Sequence, residues 1–172
     1  MNNKETVLRW IDEHTNEIVE LLQNMIRARS VNPYFEHEPG EEGESRFQAL
    51  IQAHMKELGA EIDAWEPDVK ALGKYSEYPG YDPAFDSANR SNVVATVKGT
   101  GNGRSIVLMG HADTVARGTG WNHDPFGGEL SDGRIWGRGA VDMKGGIAAM
   151  TMAVDAIVRS GVKITAPVIE AG

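Results

Sequence analysis

A strand, a helix and a second strand follow one another in the last part of the chain, and this order constrains the fold more than any other feature. Residues 106–109 are a short apolar run, Ile-Val-Leu-Met, typical of a buried strand. Residues 144–160 carry apolar side chains at helical spacing and end at Gly161, and residues 162–171 have strand composition. Because a strand, a crossover helix and a parallel strand form the right-handed unit of an α/β sheet, we predict an α/β fold.

Two amphipathic segments precede this unit. Residues 4–29 place apolar side chains at steps of three and four, which predicts one long helix that ends before Pro33. Residues 44–58 predict a second helix, with Gly59 as a left-handed C-terminal cap. Residues 60–65 indicate a short strand, and residues 66–90 a long irregular loop.

Two hairpins are predicted from glycine-containing turns. Residues 92–97 have strand composition, and a Gly99-Thr100-Gly101-Asn102-Gly103 turn leads to the strand at 106–109, so we expect these two strands to pair. The spacing of these glycines does not fit a dinucleotide-binding loop, and a strand follows instead of a helix. Residues 128–138 predict the second hairpin, around Ser131-Asp132-Gly133.

A histidine and an aspartate follow the apolar strand directly, at His111 and Asp113. Ligands of α/β sheets bind at the carboxyl ends of strands, and residues two apart on an extended backbone point to the same side. A neutral imidazole is a good zinc ligand, and a carboxylate can accept its other N–H. Taken alone, such a pair is equally typical of a surface loop.

Glycines also surround a second carboxylate, Asp142, within residues 136–146. Glycine lets the backbone approach a ligand closely. Because Asp142 lies just before the predicted helix, it either binds a ligand or only caps that helix. Arg138 is a candidate to brace the Asp142 loop, and Lys144 either does the same or faces solvent.

Together, three motifs resemble the dizinc M20 family, which includes acetylornithine deacetylase, succinyl-diaminopimelate desuccinylase, aminoacylase and glutamate carboxypeptidase. They are Gly-His-x-Asp-Thr-Val at 110–115, Trp-x-x-x-Pro-Phe at 121–126 and Gly-Arg-Gly-x-x-Asp-Met-Lys-Gly-Gly at 137–146. The resemblance implies that His111 binds one zinc ion, that Asp142 bridges two, and that Asp113 is the catalytic-site carboxylate that orients His111. It also implies a cis peptide bond between Asp142 and Met143. The expected cofactor is Zn²⁺, two ions per complete site, with Co²⁺ as a substitute.

The resemblance also implies a domain organisation. Residues 1–172 would form a single, truncated domain: the N-terminal portion of a zinc-peptidase-like catalytic domain, with a mixed sheet flanked by helices and without the smaller lid and dimerisation domain. The family's general base and next metal ligand are adjacent glutamates after the strand that follows the Asp142 helix. Glu170 is the only acidic residue there and lacks a neighbouring glutamate, so neither role is assigned to it.

These features predict a metal-dependent hydrolase that cleaves an amide bond of an N-acyl amino acid or small peptide by a dizinc-activated water. With His111 and Asp142 as its only assigned ligands, the 172-residue chain alone is expected to bind metal weakly and to hydrolyse nothing. By the same resemblance, the full-length protein could form a homodimer. The alternative is a non-catalytic short module that keeps the fold, with weak or no metal binding.

Composition excludes several other classes. A formal net charge of −8 disfavours a nucleic-acid partner, and the absence of cysteine excludes disulfides and thiolate ligands. No apolar run approaches the roughly 18 residues of a membrane span, and no signal-peptide core is present, so we expect no membrane partner and a cytoplasmic location. We expect His14, His37 and His54 to be partly exposed surface residues, and His123 to lie in a loop.

Overall fold

The structure, a computed structural model, describes residues 2–35, 43–77 and 81–172. The helices in these ranges are α1 (Asn3–Glu13), α2 (Thr15–Arg27), α3 (Gly43–Glu57), α4 (Val69–Leu72) and α5 (Gly145–Arg159). The strands are β1 (Glu61–Trp65), β2 (Asn92–Val97), β3 (Ile106–Met109), β4 (Glu129–Ser131), β5 (Arg134–Trp136) and β6 (Val168–Ala171). Two short turns of irregular helix lie at Gly73–Tyr75 and Ala140–Lys144.

The main sheet is mixed, with the strand order β1-β2-β6-β3. β6 is parallel to β3 and antiparallel to β2, and α5 lies between β3 and β6 in the chain. This arrangement confirms the predicted α/β fold with a mixed sheet, and it confirms that the helix connects two parallel strands. The predicted strand at 162–171 is shorter than expected, because only Val168–Ala171 pairs with its neighbours.

The predicted hairpin between β2 and β3 is wrong, because β6 lies between these strands. Glu170 of β6 is paired with Ala95 of β2 on one side and with Leu108 of β3 on the other. The glycine-rich connection instead crosses the end of the sheet, where the amides of Thr100 and Gly101 donate to the carbonyls of residues 164 and 165. A short connection favours pairing of the two strands that it joins. Here β6 lies between them instead, and its backbone forms hydrogen bonds with both β2 and β3.

The predicted single helix over residues 4–29 is also wrong, since the helix is interrupted at His14. The Nδ1 of His14 lies 2.7 Å from the carbonyl oxygen of Trp10, and its ring stacks on the Trp10 ring at 3.9 Å. His14 itself leaves helical geometry, with φ −115° and ψ 22°. Two helices result, and the second of them contributes Leu21, Met25 and Ile26 to the buried residues.

The core lies between the sheet and helices α2, α3 and α5. α3 packs against β1 and β2, while α1 and α2 pack against α5. The buried apolar side chains include Met25, Phe47, Met55, Ala95, Ile147, Met152 and Val154. Together these contacts fix the position of α5, and with it the turn at Ala140–Lys144 that precedes it.

Other predicted elements agree with the structure. Gly59 follows the end of α3 with the expected positive φ of 78°, and Gly161 follows the end of α5 with φ 69°. β4 and β5 form the second hairpin around Asp132 and Gly133, both with positive φ. The segment at 66–90 is mostly irregular where it is described, and residues 78–80 lie outside the described ranges. None of the helices in the described ranges combines the length and apolar character that crossing a bilayer requires.

Candidate metal centre

Three predicted site residues meet at the carboxyl end of β3. His111 and Asp113 follow β3 directly, and Asp142 lies on the turn before α5. A cavity of about 350 Å³ opens beside them, and its lining includes His111, Asp113, Thr114, Trp121, Arg138 and Asp142. The packing of α5 against the sheet therefore brings together side chains that are 31 positions apart in the sequence.

The two nitrogens of the His111 ring face different carboxylates. Nδ1 lies 3.0 Å from Oδ1 of Asp113 and 3.1 Å from the Asp113 carbonyl oxygen, so it is placed to donate to Asp113. Nε2 lies 3.1 Å from Oδ1 of Asp142. Because Asp113 accepts from Nδ1, the nitrogen directed at Asp142 is the one available to bind a cation.

The electrostatic surroundings of His111 are acidic. Burial alone would lower the pKa of His111, but the hydrogen bonds with Asp142 and Asp113 and the charge of Asp113 outweigh it and raise this pKa above its ordinary value. About half of the His111 side chain is exposed, and the Asp142 side chain is 86% exposed. The imidazole and the Asp142 carboxylate therefore attract positive charge at a position that solvent can reach.

Asp142 does not cap α5. The N-cap position of α5 is Lys144, and no side chain caps the helix there. Asp142 has φ −125° and ψ 97°, outside helical geometry, and the peptide bond between Asp142 and Met143 is cis, as the resemblance implied. Of the two roles considered for Asp142, capping is thus excluded, and its carboxylate extends into the cavity beside His111.

Lys144 is completely buried beneath this turn. Its Nζ donates to the carbonyl oxygen of Met25 at 2.8 Å and lies 5.5 Å from the centre of the Phe47 ring. Burial lowers the pKa of Lys144 to about 8, against the opposing attraction of Asp113. Lys144 therefore attaches the turn that carries Asp142 to the end of α2. Of the two expectations for Lys144, bracing of the Asp142 loop is confirmed and exposure to solvent is wrong.

Arg138 braces the loop that carries the Trp121 motif. Its Nη2 donates to the carbonyl oxygen of Arg117 at 2.8 Å, and its guanidinium lies 5.1 Å from the centre of the Trp121 ring. The indole N–H of Trp121 donates to the same Arg117 carbonyl. The backbone N–H of Arg138 donates to the Pro125 carbonyl at 2.6 Å. These contacts hold the loop at 117–125 as one wall of the cavity.

Glu170 lies away from this cavity. It is buried within β6, where the hydroxyl of Thr151 donates to its Oε1. Burial raises the pKa of Glu170, and the Thr151 hydrogen bond only partly opposes this shift. Glu170 therefore lies inside β6, with its carboxylate bonded to Thr151 of α5.

The remaining histidines have other contacts. His123 lies in a loop, as predicted, with Nδ1 3.0 Å from Glu129 and its ring stacked on Trp136. His14 is half-buried against Trp10. His54 is more buried than predicted, with 19% of its side chain exposed and Nε2 2.8 Å from Asp155. His37 lies outside the described residues.

Sequence reasoning missed Asn32 as a neighbour of the site. Its side-chain Nδ2 donates to Oδ2 of Asp113 at 2.9 Å. The nearby Ser30 is completely buried, and its hydroxyl donates to the Ala112 carbonyl at 2.6 Å. Polar side chains in the short segment between two predicted helices were a signal for such contacts, but the sequence did not indicate which strand they would reach.

The donor set is suited in type to a metal ion, but incomplete. An imidazole nitrogen and a carboxylate oxygen are typical zinc ligands, and a stable site has three or four protein ligands. Over residues 2–35, 43–77 and 81–172, no group of three or more His, Cys, Asp or Glu side chains is arranged to hold a metal ion. His111 and Asp142 therefore fit as part of such a site.

Comparisons with known proteins place these motifs in a family. The model described as peptidase family M20/M25/M40 matches residues 107–169, which contain the three site residues. The N-formyl-4-amino-5-aminomethyl-2-methylpyrimidine deformylase of Bacillus subtilis (strain 168) is 32% identical over 158 residues, covering 90% of this chain and 31% of that protein. The succinyl-diaminopimelate desuccinylase of Leptothrix cholodnii is 34% identical over 142 residues, covering 81% of this chain and 31% of that protein.

A solved structure agrees at the level of the fold. The dipeptidase Dug1p of Saccharomyces cerevisiae superposes with a TM-score of 0.76 at 20% identity, covering 99% of this chain and 34% of that one. The chain thus spans about a third of the length of the relatives it matches. The match to the family model across the His111 and Asp142 motifs, together with these relatives and this fold, shows that the chain belongs to the M20 family of peptidases and related hydrolases.

Proposed function

We propose that this chain contributes His111, Asp113 and Asp142 to the active site of a metal-dependent hydrolase that cleaves amide bonds by a dizinc-activated water. The observation that carries the proposal is the position of His111 Nε2, 3.1 Å from the exposed carboxylate of Asp142 at the edge of an open cavity. Exposed acidic residues at the edge of a cavity are more typical of a cation-binding site than of an ion pair with a purely structural role.

Each site residue has a distinct part in this proposal. His111 and Asp142 would hold the metal ions. Asp113 keeps Nδ1 of His111 occupied, so that Nε2 faces the cavity. Bound zinc would polarise the amide carbonyl and make a water molecule more acidic, which supplies the nucleophile at neutral pH. The proton acceptor and the remaining ligands are not assigned to any described residue.

The proposed substrate class rests on the reactions of the relatives. A deformylase and a desuccinylase both remove an acyl group from an amine, and Dug1p is described as a dipeptidase. We therefore propose an N-acyl amino acid, or a small peptide, as the substrate. The cavity beside His111 suits a small ligand, because its volume of about 350 Å³ lies near the low end of the range for small-molecule pockets.

We expect the 172 residues alone to bind metal weakly and not to hydrolyse amides. Two ligands are fewer than the three or four of stable zinc sites. The alternative function, a non-catalytic module with the same fold, makes a different prediction: the product of the full reading frame would be as inactive as the 172 residues.

The test uses the product of the full reading frame, stripped of metal and reconstituted with Zn²⁺ or Co²⁺. It is assayed against N-formyl, N-acetyl and N-succinyl amino acids and a set of dipeptides. We expect metal-dependent hydrolysis of at least one class, abolished by a chelator and lowered more than about 100-fold by His111→Ala. His14→Ala is the matched control, since that histidine contacts Trp10 at the junction of α1 and α2, away from the cavity.

Two results would overturn the proposal. Hydrolysis that survives complete metal removal would exclude the metal role of His111 and Asp142. No hydrolysis of any tested class by the reconstituted protein would instead support the non-catalytic alternative.

A further inference from the structure

We propose that Asn32 is a positioning residue that fixes the Asp113 carboxylate, and through it the His111 ring, in the orientation that metal binding needs. The inference rests on the proposed function. It adds a residue from the segment between α2 and α3, which lies outside residues 107–169 that the family model matches.

The backbone holds Asn32 firmly beside the site. The amide of Thr114 donates to the carbonyl of Ser30, and the amide of Asn32 donates to the carbonyl of Thr114, both at 2.8 Å. Val31 and Thr114 form an isolated parallel bridge between these bonds. Ser30 adds its buried side-chain bond to the Ala112 carbonyl. Asn32 is therefore attached to the same stretch of backbone that carries His111 and Asp113.

The side-chain amide of Asn32 has a defined direction. Its Oδ1 accepts from the backbone N–H of Tyr34 at 3.0 Å, forming a local turn. This contact leaves the Nδ2 group to face Asp113, and Nδ2 donates to Oδ2 of Asp113 at 2.9 Å. Because a backbone N–H can only donate, the acceptor oxygen must face Tyr34 and the donor must face Asp113.

Both oxygens of the Asp113 carboxylate are consequently engaged. Oδ1 accepts from His111, and Oδ2 accepts from Asn32. A carboxylate with one partner can rotate about its last bond, whereas bonds to both oxygens fix its plane. The Asp113 side chain is 32% exposed, so packing alone does not fix that plane.

The neutral amide is also the right kind of donor for this position. A lysine or arginine there would form an ion pair with Asp113 and compete with His111 for its charge. The amide of Asn32 orients Asp113 without neutralising it, which leaves the full negative charge to strengthen His111 as a ligand. The nearby cation, Lys144, is attracted by the charge of Asp113, but its ammonium group donates to the Met25 carbonyl.

The experiment separates the local turn from the contact with Asp113. Asn32→Ser keeps an oxygen that can accept from Tyr34 but is too short to reach Asp113. Asn32→Ala removes both contacts. Asn102→Ser is the matched control, because Asn102 is exposed in the connection before β3, at the end of the sheet opposite His111. All are measured in the product of the full reading frame.

Co²⁺ alone is the probe, titrated into metal-free protein and followed by its visible absorption spectrum. We expect Asn32→Ser and Asn32→Ala to weaken Co²⁺ binding about tenfold, with an altered Co²⁺ spectrum. We expect the melting temperature of metal-free Asn32→Ser to stay close to that of the unaltered protein. In the hydrolysis assay, we expect kcat to fall by a larger factor than KM changes, because the contact that Asn32 makes at the site is with Asp113.

The outcomes distinguish this inference from the proposed function. If Co²⁺ binds the unaltered protein and Asn32→Ser with equal affinity and equal spectra, the inference is wrong and the proposed function stands. If Asn32→Ser weakens binding only in proportion to a lowered melting temperature, the role is structural and the inference is again wrong. If the unaltered protein binds Co²⁺ no better than His111→Ala does, the proposed metal site itself fails.

Discussion

The carboxylate of Asp155 lies between His54 and Arg159, with only 1% of its side chain exposed. One oxygen is 2.8 Å from Nε2 of His54 on α3, and the other is 2.6 Å from Nε of Arg159, one turn further along α5. Asp155→Ala removes this buried connection between α3 and α5. Since α5 follows the turn that carries Asp142, the change tests how firmly the scaffold of the site is held.

The expected loss follows from the exposure of each partner. Removing one member of a buried ion pair costs about 3–5 kcal/mol, because the other member stays buried without compensation. Arg159 is 45% exposed and can regain water, whereas His54 is only 19% exposed. We therefore expect the lower end of that range, about 3 kcal/mol, which at an m-value of about 2 kcal/mol/M lowers the urea midpoint by about 1.5 M.

The assay is urea unfolding of metal-free protein, followed by circular dichroism. Arg159→Ala is the control for the exposed partner and should cost less than Asp155→Ala, because Asp155 keeps its contact with His54. Combining Asp155→Ala with His54→Ala gives a double-mutant cycle, and the coupling between these residues should exceed about 1 kcal/mol. A midpoint shift below about 0.5 M, with no coupling to His54, would refute the reasoning.

Three further predictions concern Glu170, the sheet edge and the turn before Asp142. Burial raises the pKa of Glu170, so the folded protein keeps the proton on this carboxyl to higher pH than the unfolded protein does. The free energy of unfolding relative to Glu170→Gln should therefore fall as pH rises above about 4.5. A difference in urea unfolding that does not change with pH would contradict this. β3 is an edge strand with Val107 58% exposed, so Val107→Lys should reduce self-association in sedimentation experiments. Gly139→Ala should lower the free energy of unfolding by more than about 2 kcal/mol, since φ is 79° and the added carbon would lie 2.4 Å from the Thr114 side chain. Gly133 has a φ of 70° but open space around it, so Gly133→Ala should lower the free energy of unfolding by only about 1 kcal/mol in the same assay.

The sequence predicted the elements of the fold better than their pairing. Local signals were sufficient for α3 with Gly59, for the β4–β5 hairpin and for the strand–helix–strand unit, because each depends on neighbouring residues. The insertion of β6 between β2 and β3 depends on contacts between residues about 75 positions apart, such as Ala95 and Glu170. A turn sequence describes how a chain reverses, but it does not contain the identity of the strand that will pair beside it.

The candidate site shows the same division. The family resemblance carried by the motifs around His111 and Asp142 implied that these side chains meet, and the structure brings them within 3.1 Å. The buried position of Lys144 and the contact from Asn32 were not predicted, because both depend on where α2 ends relative to the sheet. At the break, the His14 imidazole contacts the Trp10 carbonyl and stacks on the Trp10 ring, and apolar periodicity does not register such contacts.

The central position of β6 has a consequence for the order of folding. β2 and β3 are synthesised long before β6, yet β6 provides the backbone partners that join them into one sheet. While the chain emerges from the ribosome, β1 and β2 can pair, but β3 has to wait for about 60 more residues before its partner exists. During this interval neither edge of β3 has a backbone partner, whereas in the folded sheet β6 pairs with one of them. A chaperone that binds short extended apolar segments would therefore have its main period of action between the synthesis of His111 and that of Glu170.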